Sequence, residues 1–320
     1  MKIGVFTVLF GRTPFEEMLD YLVDQGVAAV EIGTGGYPGS AYCDPSALLG
    51  DDGRLRAFQN AIAKRGLVIS ALSCHGNPLH PQTAVARGHH DAFMRTIELA
   101  QRLDVTNVIT FSGCPPGDPR AQQPNWIVSP WPPEFAEMLA WQWKTRVEPY
   151  WTETARACTA RGVKVAIEMH PNFVVYNPET MLRLRGLAPG TIGCNFDPSH
   201  MFWQGVDVVS AIRALGDCIY HVHAKDCRID ARNTARNGVL DAKPYTREVE
   251  RSWIFRTVGY GNDAIVWKDI VSALRLVGYD DVLSIEHEDS LMSPDEGLEK
   301  AIAFLKSVVI AQPRGEAYWA

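Results

Sequence analysis

Four runs of this 320-residue chain end in residues that can hold a metal ion or move a proton: KVAIEMHP, IGCNFDPSH, CIYHVHAKD and VLSIEHED. Each begins apolar and β-branched, as a buried strand does, and then turns to acids, imidazoles or a lysine. Alternation along a strand puts Ala166, Glu168 and His170 on one face and Val165, Ile167 and Met169 on the other. In the same way Gly193, Asn195 and Asp197 oppose Ile192, Cys194 and Phe196. His221, His223 and Lys225 oppose Tyr220, Val222 and Ala224, and Ser284, Glu286 and Glu288 oppose Leu283, Ile285 and His287. Three carboxylates turned into one space repel unless positive charge sits among them, and a divalent cation supplies it most directly. One such residue alone reads as a solvated strand end. Glu168, Asp197, His223 and Glu286 on four successive strands read as a ligand set, oxygen-rich with one imidazole. That set suits Mn²⁺, Mg²⁺ or Co²⁺ and tolerates Zn²⁺, so one divalent ion is expected.

These residues need strands that bring their C-terminal ends to one place. The runs IGVFTVLF, AAVEIG, VISALSCHG and NVITFSG precede the four above, and amphipathic stretches such as TPFEEMLDYLVDQG and HDAFMRTIELAQRLD lie between them. Eight strands alternating with about eight helices imply an α/β fold, a single (β/α)8 TIM barrel with residues 1–320 as one domain. A doubly wound sheet is disfavoured because no glycine-rich turn follows the first strand, expected over 2–10. Two segments exceed a minimal barrel: 115–133 after the fourth strand and 227–263 after the seventh. Both emerge at the C-terminal face, where barrel loops wall a pocket. Trp126 and Trp131 in the first either line that pocket or pack on helices.

Composition narrows the class. A formal net charge of −6 lacks the basic excess of a nucleic-acid-binding surface. No apolar run approaches the roughly 20 residues of a membrane span. The N-terminal residues lack the pattern of a secretory signal, and the seven cysteines are scattered with no CxxC pair, so a cytoplasmic location is expected.

The motifs IEMHP, NFDPSH, HVHAKD and LSIEHED resemble the strand-end motifs of the sugar phosphate isomerase/epimerase superfamily, whose xylose isomerase-like barrel is shared with endonuclease IV. The resemblance covers essentially the whole chain. It implies that Glu168, Asp197, His223 and Glu286 hold one divalent metal, and that His200 of DPSH reaches the substrate or assists the metal. It further implies a catalytic pair, Glu168 and Glu286, shuttling a proton on opposite faces of an enediolate from a ketose, keto-sugar or related polyol. A metal chelating a carbonyl and its neighbouring hydroxyl acidifies the α-proton, which makes that chemistry sound in itself. Around the pair, His170 and Lys225 are expected to meet substrate oxygens, and His75, at the end of the third strand, either does so or has a structural role. His221 reads either as a hydrogen-bonded histidine beneath the site or as a direct contact. Glu31 either binds a hydroxyl or pairs with a neighbouring cation.

Elimination from a keto-sugar, keto-inositol or oxidised glycoside starts with the same proton abstraction, so a metal-dependent lyase or dehydratase is the alternative. An AP endonuclease needs three zinc ions and more histidines: Phe111–Ser112–Gly113 stands where one is expected, and none follows His223 until His287. A non-catalytic sugar-binding barrel would show an eroded ligand set, and none of the four ligands is eroded. The expected partner is a small carbohydrate, not nucleic acid or membrane, and a homo-oligomer paired through the loops is compatible with the chain. No glycine-rich phosphate turn marks the substrate as phosphorylated.

Overall fold

In the computed structural model, which describes residues 1–320, the apolar runs become eight parallel strands that close into a barrel. They are β1 (Lys2–Phe6), β2 (Ala29–Gly33), β3 (Val68–Ser73), β4 (Asn107–Phe111), β5 (Lys164–Glu168), β6 (Ile192–Phe196), β7 (Ile219–Ala224) and β10 (Val282–Ile285). Two more, β8 (Asp226–Ile229) and β9 (Trp253–Arg256), form an antiparallel pair outside the ring. Closure is made by β1 on β10, with Lys2 opposite Val282 and Val5 opposite Ile285.

The outward side chains pack on the helices. Helix Phe15–Asp24 buries Met18, Leu19 and Leu22, and helix Pro294–Val308 buries Leu298, Ala301, Ile302 and Leu305. These side chains join Val5, Ile32, Val165 and Leu283 of the strands in one apolar layer outside the barrel wall. Inside the barrel, Ala71, Ile109 and Ala166 make a small apolar floor with Tyr220, which the register shift between β6 and β7 turns inward against the expected alternation. Gly193 permits that floor, because a Cβ there would stand 2.3 Å from the Tyr220 ring.

The structure differs from the expected elements in two places. The first strand stops at Phe6, which pairs with Glu31, and Thr7–Phe10 is a 3-10 turn. Beyond the barrel rim no strand partner remains, and the chain turns aside to Tyr42, whose hydroxyl donates to the carbonyls of Phe10 and Thr13 (2.8 and 2.7 Å). The second difference is in 227–263, which is a built excursion rather than a bare loop: it holds most of β8, all of β9 and the helix Ala231–Asn237. Segment 115–133 carries no helix or strand, as expected. Its Trp126 is half-buried and Trp131 exposed, whereas Trp143 and Trp151 beyond it are core residues. All seven cysteines are free and buried. No helix is long and apolar enough to cross a membrane.

Candidate metal and active site

Each expected ligand sits where its strand stops. Glu168 ends β5, Asp197 follows β6, His223 is the penultimate residue of β7, and Glu286 follows β10. Because β5, β6, β7 and β10 are successive neighbours in the ring, three carboxylates and an imidazole converge. One donor atom from each lies within 4.8 Å of the others. Glu168, Asp197 and His223 are buried, and the Glu286 side chain is only 13% exposed.

Local structure fixes which atoms remain available. Asp197 Oδ1 caps the helix Pro198–Trp203 by accepting the Ser199 N–H at 2.8 Å. Its Oδ2 is buried without a hydrogen-bond partner, with His200 Nε2 at 3.4 Å and Lys225 Nζ at 3.5 Å. Glu168 Oε2 accepts from His75 Nε2 at 2.9 Å and from Asn195 Nδ2 at 3.0 Å. Lys225 reaches Glu288 at 2.8 Å and Glu286 at 3.1 Å.

A second tier of polar residues lies beneath. Fully buried Glu31 accepts hydrogen bonds from Ser73 and Ser284 (2.5 and 2.7 Å) and from His223 Nε2 (3.0 and 3.1 Å). An ionised carboxylate can only accept, so Nε2 carries the proton and the other ring nitrogen, Nδ1, is turned to the carboxylates above. Nδ1 lies 3.0 Å from Glu286 and 3.3 Å from Glu168 yet in no hydrogen-bonding alignment with either. Asp197 Oδ2 and His223 Nδ1 are therefore buried ligand atoms without a protein partner, which is what a cation site leaves open. The donor set fits one divalent ion. His221 takes the hydrogen-bonded option: Nδ1 donates to Asn195 Oδ1 at 2.9 Å, and Nε2 meets Ser70 at 3.3 Å.

The charges show how strongly this point attracts a cation. Burial raises the Asp197 carboxyl above its usual range, although Lys225 and His200 oppose the rise. Burial would raise Glu168 and Glu286 as well. The histidines around the first, His75, His200 and His223, and Lys225 with His223 beside the second, outweigh it and hold both below the usual range. Burial disfavours a charged His223, but Glu31, Glu286 and Glu168 overcome that and raise its proton affinity well above normal. A bound divalent ion would satisfy the same demand with two charges. Lys225 behaves likewise: burial opposes its charge, and Glu286, Glu288 and Asp197 hold it cationic. Burial, then His200, pushes His170 down to about 3, so it is neutral at physiological pH.

A cavity of about 260 Å³ opens above these groups, with His75, Phe111, Glu168, His170, Lys225 and Glu286 in its wall. The structure thus brings together every expected ligand and substrate contact: His75, His170, His200 and Lys225 around the four, and His221 below them. Two participants had no assigned part in the sequence reading. Asn195 joins Glu168 to His221, and the Phe6 ring stacks on His223 with centroids 5.7 Å apart. Alternation within IGVFTVLF and IGCNFDPSH is the signal that carries both.

Comparison with known proteins adds to this geometry. A family model described as xylose isomerase-like TIM barrel matches residues 19–308. The chain is 38% identical to the protein YfiH of Bacillus subtilis (strain 168) over 97% of its own length and 99% of the relative's. It is 30% identical to an inosose dehydratase of Geobacillus kaustophilus (strain HTA426), over 31% of this chain and 32% of that one. Among solved structures, an IOLI protein with a bound zinc atom aligns over 97% of this chain and 98% of its own, with TM-score 0.66 and 17% identity. A D-psicose 3-epimerase crystallised with D-fructose aligns over 97% and 99%, with TM-score 0.61 and 16% identity. At such identities the two structures show a shared fold.

Proposed function

The chain belongs to the xylose isomerase-like TIM-barrel family, and from that premise we propose that it is a metal-dependent sugar isomerase or epimerase acting on a ketose, keto-sugar or related polyol. The observation that carries the reading is the convergence of three buried carboxylates and one imidazole, with Asp197 Oδ2 and His223 Nδ1 lacking protein partners. Glu168, Asp197, His223 and Glu286 would hold the ion, of which Mn²⁺, Mg²⁺, Co²⁺ and Zn²⁺ all suit the donor set. When bound, it supplies Lewis-acid polarisation of a substrate carbonyl and compensates developing negative charge.

The chain's own residues then move the proton. Glu168 and Glu286 approach the same point from strands on either side of β6 and β7. One takes the proton α to the carbonyl and the other returns a proton to the opposite face of the planar carbon. His75 and Asn195 hold the Glu168 carboxylate in place, and Lys225 keeps Glu286 ionised. Neutral His170, its ring centroid 4.1 Å from that of His200 with the planes inclined at 58°, can bond to substrate hydroxyls without adding charge.

The test is solvent deuterium exchange. Metal-loaded protein is incubated in D2O with a panel of ketoses and followed by mass spectrometry and NMR. Deuterium at an inverted or isomerised carbon, lost in both Glu168→Gln and Glu286→Gln, supports the reading. A protein that holds its metal but exchanges no proton from any ketose or keto-sugar overturns it. The second reading is elimination, favoured by the inosose dehydratase relative, and loss of water from the product would select it.

A further inference from the structure

The cavity over the carboxylates does not end at His170. That residue also lines two further chambers of about 480 and 390 Å³, and Tyr245 lines both. Glu288 joins the first chamber to the pocket over the carboxylates, and Phe255 stands in its wall. The outer chamber is faced by Trp126, Trp203 and Trp253. The pocket over the carboxylates alone, about 260 Å³, is smaller than the roughly 300–1,000 Å³ usual for a ligand of drug size. With the first chamber, of about 480 Å³, it enters that range.

The eight-stranded frame does not require this aromatic enclosure. Tyr245, Trp253 and Phe255 all come from the excursion after β7, and Trp126 comes from the segment after β4. The rings are held in place. Trp203 and Trp253 stack with centroids 4.6 Å apart and planes 6° from parallel, and Phe255 stands edge-on to His200 at 5.4 Å. The Arg251 guanidinium lies 4.4 Å from the Tyr245 ring and 4.5 Å from that of Trp253, and its Nε donates to the Trp253 carbonyl at 3.1 Å. Positions locked in this way suit recognition of a ligand. The Trp203 and Trp253 rings are themselves almost wholly buried, which fixes that part of the wall. Aromatic faces cover the C–H face of a saccharide ring, and His170 and Glu288 offer polar atoms to its hydroxyls.

We propose that this chamber is a second subsite. It takes a saccharide ring joined through a glycosidic oxygen to the sugar positioned over Glu168 and Glu286. The substrate class is then a ketose- or keto-sugar-containing disaccharide or glycoside, rather than a free monosaccharide. The inference rests on the proposed function for where the first ring lies.

The experiment compares D-fructose with lactulose, maltulose and isomaltulose by titration calorimetry on the Mn²⁺-loaded and the chelated protein. At least one disaccharide is expected to bind about tenfold or more tightly than D-fructose, a difference of about 1.4 kcal/mol. Tyr245→Ala should remove most of that advantage while leaving the D-fructose affinity unchanged. Trp126→Ala, which removes one aromatic face from the wall, should reduce it about fivefold. Equal affinities for D-fructose and all three disaccharides overturn the subsite, as does an advantage that survives both substitutions. Metal content is read on the same samples. A protein that holds its ion yet shows no disaccharide preference loses the subsite and keeps the proposed reaction. Preference in a protein that takes up no ion keeps the subsite and rejects that reaction.

Discussion

Glu31 decides how His223 meets a cation. By accepting from Nε2, it leaves Nδ1 as the lone-pair nitrogen toward Glu168, Asp197 and Glu286. A glutamine at this position would offer an N–H in place of one acceptor oxygen, and two serine hydroxyls compete for the oxygen that remains. Glu31→Gln is therefore expected to weaken divalent-metal binding about 10–100-fold, as loss of such outer partners typically does. Competition against a chromophoric chelator measures it, and an affinity within about twofold of wild type would remove Glu31 from this role. Its inward position was legible in AAVEIG by the same alternation that picks out the four ligands. Its partner was not, because β2 and β7 pack across the barrel from one another and no local pattern relates residue 31 to residue 223.

The excursion after β7 depends on one carboxylate. Asp226 Oδ2 accepts from the N–H groups of Gly259, Gly261 and Asn262 and from the Trp267 indole, all at 3.0–3.2 Å. Oδ1 accepts from Cys227 N at 2.9 Å and Asn262 Nδ2 at 2.7 Å. Asp226→Ala strands these donors in a buried place and should cost about 3 kcal/mol of unfolding free energy in a urea titration. A loss under about 1 kcal/mol would mean that the loop is held elsewhere. Farther out, burial would raise the Asp241 carboxyl, but hydrogen bonds from Lys243 and from Ser252 N hold it at about 2 instead of 3.8. A folded value below the unfolded one stabilises the loop above about pH 4, and that contribution is lost as the pH falls through about 2. Limited proteolysis at graded acidity should find cleavage near residues 238–252 rising across that window in wild type and already high in Asp241→Ala. A flat profile would exclude the switch. None of this element was legible beyond its length. Its strands are four residues long, they pair antiparallel across a polar stretch, and Cys227, Trp253 and Phe255 find their apolar cover on Trp203, which belongs to β6's following helix.

At the scale of the molecule, strands far apart in sequence place four ligands around one point, and only the folded barrel does so. Periodicity revealed the barrel because every strand carries its apolar face outward to the helices, and its rim residues follow from the same alternation. An ion bound by Glu168, Asp197, His223 and Glu286 ties β5, β6, β7 and β10 together, and the unfolded chain cannot reproduce that set. Binding to the native state alone stabilises by about 2.7 kcal/mol at 100 times Kd. For a chain of this size, that should raise Tm by several degrees when Mn²⁺ is restored after chelation. Glu286→Ala should abolish the increment. Without metal its Tm should lie below that of the chelated wild type, because the substitution takes a buried anionic partner from both Lys225 and His223. Differential scanning calorimetry of the two proteins, chelated and repleted, separates the outcomes. Equal metal-induced shifts in both would place the ion elsewhere, while a shift confined to wild type ties the stability of the barrel to the point where its proposed chemistry occurs.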